Sequence, residues 1–194
     1  MLFKKFLTQK TLLKKDEIEN LLTQCQTKEF KKGRFLVREG DKPMFSFFVE
    51  KGLLKQYTID TKGKEHILQF APENWFVSIR ESEFFDMPSS YFIEAIEDTI
   101  VYLVSHEFLF NLSLKEESFL RFNDRLLHNH ILHLQKRINL LLSASAEERY
   151  IEFINLYPDI VDRVPQSMIA SYLGITPESL SRIRKERVEK NTNS

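Results

Sequence analysis

The sequence predicts an α+β protein: a β-rich N-terminal half, one long helix and a helical C-terminal end. Three observations carry that expectation. Short apolar runs broken by turn residues fill the stretch from Thr27 to Val104. Glycine and proline then vanish from Glu107 to Tyr157, where the apolar spacing becomes helical. Two short helical patterns finally meet around Gly174.

The N-terminal runs are Phe35–Val37, Phe45–Val49, Gly52–Ile59, His66–Phe70, Tyr91–Ala95 and Ile100–Val104, after a short amphipathic helix over Lys15–Gln24. Between them stand Lys32-Gly33, Glu39-Gly40-Asp41, Lys51-Gly52 and Asp60-Thr61-Lys62-Gly63. Glycine takes a positive φ in tight turns without a Cβ clash. Many short, closely spaced strands point to a sandwich or barrel.

The helical stretch has its own signature. Leu120, Leu127, Leu134 and Leu141 recur every seven residues, and Ile131 and Ile138 fill the alternate positions. This is the a/d pattern of a helix that buries one stripe against a partner, although Asp124 interrupts it. Phe119, Phe122, Leu126 and Leu140 lie off the seam, so one face can meet the β domain and the other a second copy. A helix over 115–143 would run about 40 Å at 1.5 Å per residue.

The C-terminal stretch carries the chemistry. Pro165 suits a first helical turn, Ile169, Ala170 and Leu173 form an inner face, and Gly174 supplies a left-handed stop. Thr176-Pro177-Glu178 restarts a helix with an N-cap, a proline at the first position and an acid in the first turn. Leu180, Ile183 and Val188 are expected to face inward. Two short helices around a glycine form a helix-turn-helix pattern, whose second helix enters the DNA major groove. With Leu180 and Ile183 inward, Glu178, Ser181, Arg182 and Lys185 point outward. Arg182 suits guanine O6 and N7, Glu178 a cytosine amine, and Arg184 and Lys185 phosphates. An ordinary Glu178–Arg182 surface pair on a solvated helix is the plainer alternative.

Composition restrains this reading. There are 28 basic and 28 acidic side chains, a net charge of +0, where DNA binders often carry an excess of base. The single cysteine, Cys25, excludes disulfide frameworks and four-cysteine clusters within one chain; a partly buried thiol is expected. No signal peptide or membrane span is expected, and a cytoplasmic location follows. His128, His130 and His133 lack a carboxylate or cysteine at ligand spacing, and His66 stands alone, so neither a metal site nor a metal-dependent jelly-roll enzyme is expected. No catalytic triad or phosphate loop is signalled; the protein is expected to be no enzyme and to need no cofactor.

The whole chain resembles the Crp/Fnr family of bacterial regulators. Lys32-Gly33, Glu39-Gly40-Asp41 and Glu50-Lys51-Gly52 match in the early strands, and Ile169 to Arg182 matches the family's helix-turn-helix without a gap. The resemblance implies an N-terminal cyclic-nucleotide-binding-like jelly roll over 1–114, a dimerisation helix over 115–143 and a DNA-binding domain over 144–194. It implies a homodimer on double-stranded DNA, with Glu178 and Arg182 where the family reads bases, Ser179, Ser181, Arg184 and Lys185 in the same DNA-binding set, and RNA polymerase as a further partner. Pro177 stands where a base is frequent in the family. The chain ends soon after the recognition helix, so the family's final hairpin is expected to be short or absent.

Nucleotide-responsive members hold a phosphate with a Gly-Glu pair and an Arg-Ser pair before an alanine. Here Trp75-Phe76-Val77-Ser78 and Pro88-Ser89-Ser90 stand in those places, with Ala95 downstream. Arg80 is the one base between Trp75 and Ala95, against Glu81, Glu83, Asp86 and Glu94. A buried phosphate needs charge-assisted donors, so no response to cyclic AMP is expected. Candidate lining residues are Trp75, Phe76, Arg80, Ser89, Ser90 and Tyr91. The aromatics Trp75, Phe76, Phe84, Phe85, Tyr91 and Phe92 are expected to fill the site as core, and Ser89 and Ser90 to be turn residues; a pocket for an unidentified apolar effector is the alternative. A further alternative for the whole chain is a ligand- or protein-binding jelly roll whose helix-turn-helix no longer engages DNA.

Overall fold

A computed structural model describes residues 1–192, and the side chains of residues 1–190. Two compact units are formed. The first comprises Met1–Thr58 and Leu68–His128; the second comprises Ile59–Ile67 and the chain from Asn129 onward. The unit boundary thus falls inside the long helix rather than at its ends, and a β-hairpin tip belongs with the C-terminal helices.

Among the described residues, eight strands form two antiparallel sheets: β1 (Gln26–Phe30), β2 (Phe35–Val37), β3 (Phe45–Lys51), β4 (Leu54–Ile59), β5 (Glu65–Ala71), β6 (Phe76–Val77), β7 (Phe92–Ala95) and β8 (Thr99–Ser105). Their orders, β1-β8-β3-β6 and β2-β7-β4-β5, make the jelly roll. β1 is an addition to the strands expected from the sequence: Gln26, Thr27, Lys28 and Glu29 are all exposed, so it has no buried side-chain period to read. Backbone pairing with β8, from Gln26 opposite Leu103 to Phe30 opposite Thr99, holds it in place.

The central strands β3 and β8 are buried on both faces, which explains their unbroken apolar runs. Side chains alternate along a strand. Phe47, Val49 and Val101 therefore enter the core between the sheets, with Val37, Leu54, Ile93 and Ala95. Phe48, Tyr102 and Val104 enter a second core beneath helices. Those helices are α1 (Leu2–Lys10), α2 (Lys15–Gln24), α4 (His106–Lys115) and the start of α5 (Glu117–Ser143). Phe3 stacks on Phe48 at 4.5 Å between ring centroids, and Glu50 accepts from the Leu2 and Phe3 N–H groups at 2.6 and 2.8 Å. A carboxylate at a helix N-terminus meets both orphan donors and the helix dipole there.

The second unit contains the rest of α5, then α6 (Ala146–Leu156), α7 (Gln166–Leu173) and α8 (Pro177–Thr192). Ser145 caps α6 reciprocally with Glu148: Glu148 N donates to the serine hydroxyl and Ser145 N to the carboxylate. Phe153, Tyr157 and Tyr172 form an aromatic trio with centroids 5.3 to 5.7 Å apart. Ile160, Ile169, Ala170, Leu173, Leu180 and Ile183 complete this core.

Candidate nucleic-acid interface

The α7–α8 turn is built from local hydrogen bonds. Gly174 is left-handed at φ 67°. Its N–H donates to Ser171 O at 3.2 Å, and Ile175 N donates to Ala170 O at 3.0 Å. These are the paired bonds of a Schellman stop. Thr176 then opens α8, accepting from Ser179 N at 3.2 Å, while its carbonyl accepts from Leu180 N at 3.1 Å. Pro177 is the first helical residue, as the sequence predicts. Pro165 lies one step outside α7, as its N-cap rather than in its first turn.

Leu180 and Ile183 are buried, which turns Glu178, Ser181, Arg182 and Lys185 together onto the exposed face. Ser179 and Arg184 flank them, half-buried. Ser179 shares a hydroxyl contact of 3.2 Å with Thr176. Bonds from its own backbone N–H and from the Thr176 hydroxyl hold the Glu178 carboxyl below the usual range. Among the described residues, Arg182, Arg184 and Lys185 form no ion pair, and the Glu178–Arg182 pair is not made. One expectation is corrected: Val188 is 66% exposed rather than inward, because the core against which Leu180 and Ile183 pack ends before the helix does.

The hairpin tip of this unit is fastened to α7. Ser171 Oγ donates to Glu65 O at 2.8 Å and accepts from Ile67 N at 3.2 Å. Arg137, on α5, donates to Ile67 O at 3.0 Å and to Tyr172 O at 3.1 Å. Sequence reasoning missed both residues, since their partners are backbone groups distant in the chain.

On α5, Leu120, Leu127, Ile131, Leu134, Ile138 and Leu141 share one stripe, 39 to 57% exposed. Phe119 is buried, and Phe122, Leu126 and Leu140 are half-buried on the other side.

A cyclic nucleotide-binding domain model matches residues 27–116. The chain is similar to the fumarate and nitrate reduction regulatory protein of Vibrio cholerae, 29% identical over 179 residues, 87% of this chain and 70% of that protein. It is 30% identical over 164 residues to the transcriptional activator protein Anr of Pseudomonas aeruginosa, 79% of this chain and 66% of that one. Its fold is similar to that of FixK2 from Bradyrhizobium japonicum, with a TM-score of 0.74 at 20% identity, covering 86% of each chain. The chain belongs to the Crp/Fnr family of transcriptional regulators.

The jelly roll of this Crp/Fnr protein disperses the residues expected to line a pocket. Trp75 and Tyr91 pack against the core between the sheets. Phe76 turns to the other core, 5.1 Å from Phe48 and 5.6 Å from Phe6. Arg80 begins α3 (Arg80–Phe85), 3.7 Å from the Glu83 carboxylate and 5.3 Å from the Phe84 ring. Ser89 is buried in a turn, its hydroxyl donating to Tyr91 O at 2.8 Å and accepting from Tyr91 N at 3.0 Å. Ser90 N donates to the Glu81 carboxylate at 2.9 Å. The expectation that Phe84 and Phe85 close this region as core is corrected: they are 60% and 72% exposed, because α3 is short and has no buried residue. Phe92 stacks on Tyr57 at 5.2 Å.

Cys25 is partly buried, and burial pushes its thiol up to about 11, far from a reactive thiolate.

Proposed function

We propose that this Crp/Fnr regulator binds double-stranded DNA sequence-specifically as a homodimer, in the cytoplasm, without requiring cyclic AMP. Glu178, Ser179, Ser181 and Arg182 face the base edges; Arg184 and Lys185 hold phosphates. The observation that carries this reading is the exposed N-terminal face of α8, whose Arg182 and Lys185 have no ion-pair partner among the described residues. Arginine matches guanine bidentately, and unpaired cations near it supply the sequence-independent attraction.

The exposed heptad stripe of α5 supports the homodimer, because a row of six leucines and isoleucines in water is what a second copy would cover. The state of residues 75–95 supports independence from cyclic AMP. Arg80 lies beside Glu83, and the Ser90 N–H is already taken by Glu81, leaving a phosphate facing carboxylates. Adding cyclic AMP is expected to leave the melting temperature unchanged.

Affinity for random duplex, measured against salt, tests the DNA reading. Phosphate contacts give a falling line of log affinity against log salt, and Lys185→Ala makes it shallower by about one unit. The neutral net charge favours the second reading, a jelly-roll module that no longer engages DNA. Absence of binding at low salt would establish it.

A further inference from the structure

The second unit contains a solvent-open cleft walled by α5, α6 and α7. Leu140, Phe153, Leu156 and Leu173 give it apolar walls. Lys136, Arg137 and Arg149 bring three cations against one carboxylate, Glu152, with His133 beside them. Two of the cations are occupied. Lys136 is paired with Glu152, and Arg137 donates to two carbonyls and lies 3.8 Å from the Tyr172 ring centre.

Arg149 is the exception. Its Nη1 reaches Ala144 O at a long 3.3 Å, and its Nε is buried with no hydrogen-bond partner among the described residues. It has no ion pair there either. A half-buried guanidinium without an anion is an arrangement that calls for an acceptor. The planar fork of arginine fits a carboxylate, and the walls beside it fit a hydrocarbon.

We infer that this cleft binds a small organic acid, its carboxylate on Arg149 and its apolar body against Leu140, Phe153 and Leu156. The site is separate from the jelly-roll region and lies directly behind the helix-turn-helix, since Tyr172 and Leu173 form one wall just before the Gly174 turn.

Calorimetric titration of the full chain tests this without DNA, so its outcome is independent of the DNA-binding reading. The probes are octanoate, 3-phenylpropionate and, as a neutral counterpart, 1-octanol. At least one acid is expected to bind saturably, one per chain, at least about tenfold tighter than the alcohol. Which acid binds tighter tells whether the body is acyl or aryl. Arg149→Met should weaken the acid at least about tenfold, and Leu156→Trp, which fills the cleft, should abolish binding; both variants are checked for cooperative melting. Equal binding of octanoate and 1-octanol, no saturable binding of either acid, or undiminished affinity in a folded Arg149→Met protein would overturn the inference. Should Arg149→Met not fold, the comparison of acid with alcohol on the unaltered protein decides alone.

Discussion

At the scale of single residues, two glycines with the same left-handed backbone differ in what surrounds them. Gly52 has φ 99°, and a Cβ there would lie 2.5 Å from Thr99 Oγ1 and 2.7 Å from Thr99 Cα. At Gly174 the nearest atom, Leu141 Cδ2, would be an ordinary 3.6 Å away. Gly174→Ala is therefore expected to cost about 1–2 kcal/mol from the backbone alone, and Gly52→Ala distinctly more, as it adds a clash with backbone. Denaturant titration of both variants measures the difference. Arg182 is a residue of another kind, exposed and dispensable to the fold. Arg182→Ala should leave the melting temperature unchanged, cost about 1–3 kcal/mol at a cognate site and relax preference at one base pair. Equal losses on every sequence would assign Arg182 to phosphate instead. Two histidines set a pH dependence. Burial, with Arg137 and Lys136 close by, holds His133 below the ordinary imidazole range, and burial does the same to His106. The unfolded chain then takes up protons first as pH falls, so stability is full above about pH 6.5 and declines below it. Thermal melts from pH 7.5 to 5.5 should show that decline, and His133→Gln should reduce it.

Elements show what the sequence makes legible. The α7–α8 turn was readable residue by residue, because Gly174, Thr176 and Pro177 act on their own neighbours and need no tertiary information. The doubly buried strands β3 and β8 were equally plain as apolar runs, although which face meets which core was not. Elements held by distant partners escaped. Polar β1 depends on its pairing with β8, and α1 on the Glu50 carboxylate 48 and 47 positions away. The α6 start carries a signal in its own sequence, the Ser145-x-x-Glu148 capping box. Ser145→Ala is expected to destabilise the second unit by about 1 kcal/mol, seen as a lower denaturation midpoint. The expectation of a core over residues 75–92 met a mixed outcome, because aromatic content cannot tell a core from a surface. Trp75, Phe76 and Tyr91 went into two cores, while Phe84 and Phe85 went to solvent on a helix too short to bury them.

For the whole molecule, the proposed activity joins two features of two helices: the outward face of α8 and the exposed stripe of α5. A dimer gives one α8 per half-site, which multiplies a modest single contact into sequence preference. Leu127→Glu with Leu134→Glu places like charges in the seam, and sedimentation should show the dimer weakened. A dimer of unchanged stability would remove α5 as the interface. The neutral net charge counts against this picture, and the local excess of base on α8, five cations against three carboxylates, has to outweigh it. The central claim, a dimeric sequence-specific DNA binder independent of cyclic AMP, is tested most directly by selecting duplexes from a random pool with purified protein and no added ligand. The account predicts enrichment of a two-fold symmetric motif, half-sites about one helical turn apart, that Arg182→Ala blurs at one position in each half. Recovery of the unselected pool composition, at salt low enough for phosphate contacts to form, would contradict it.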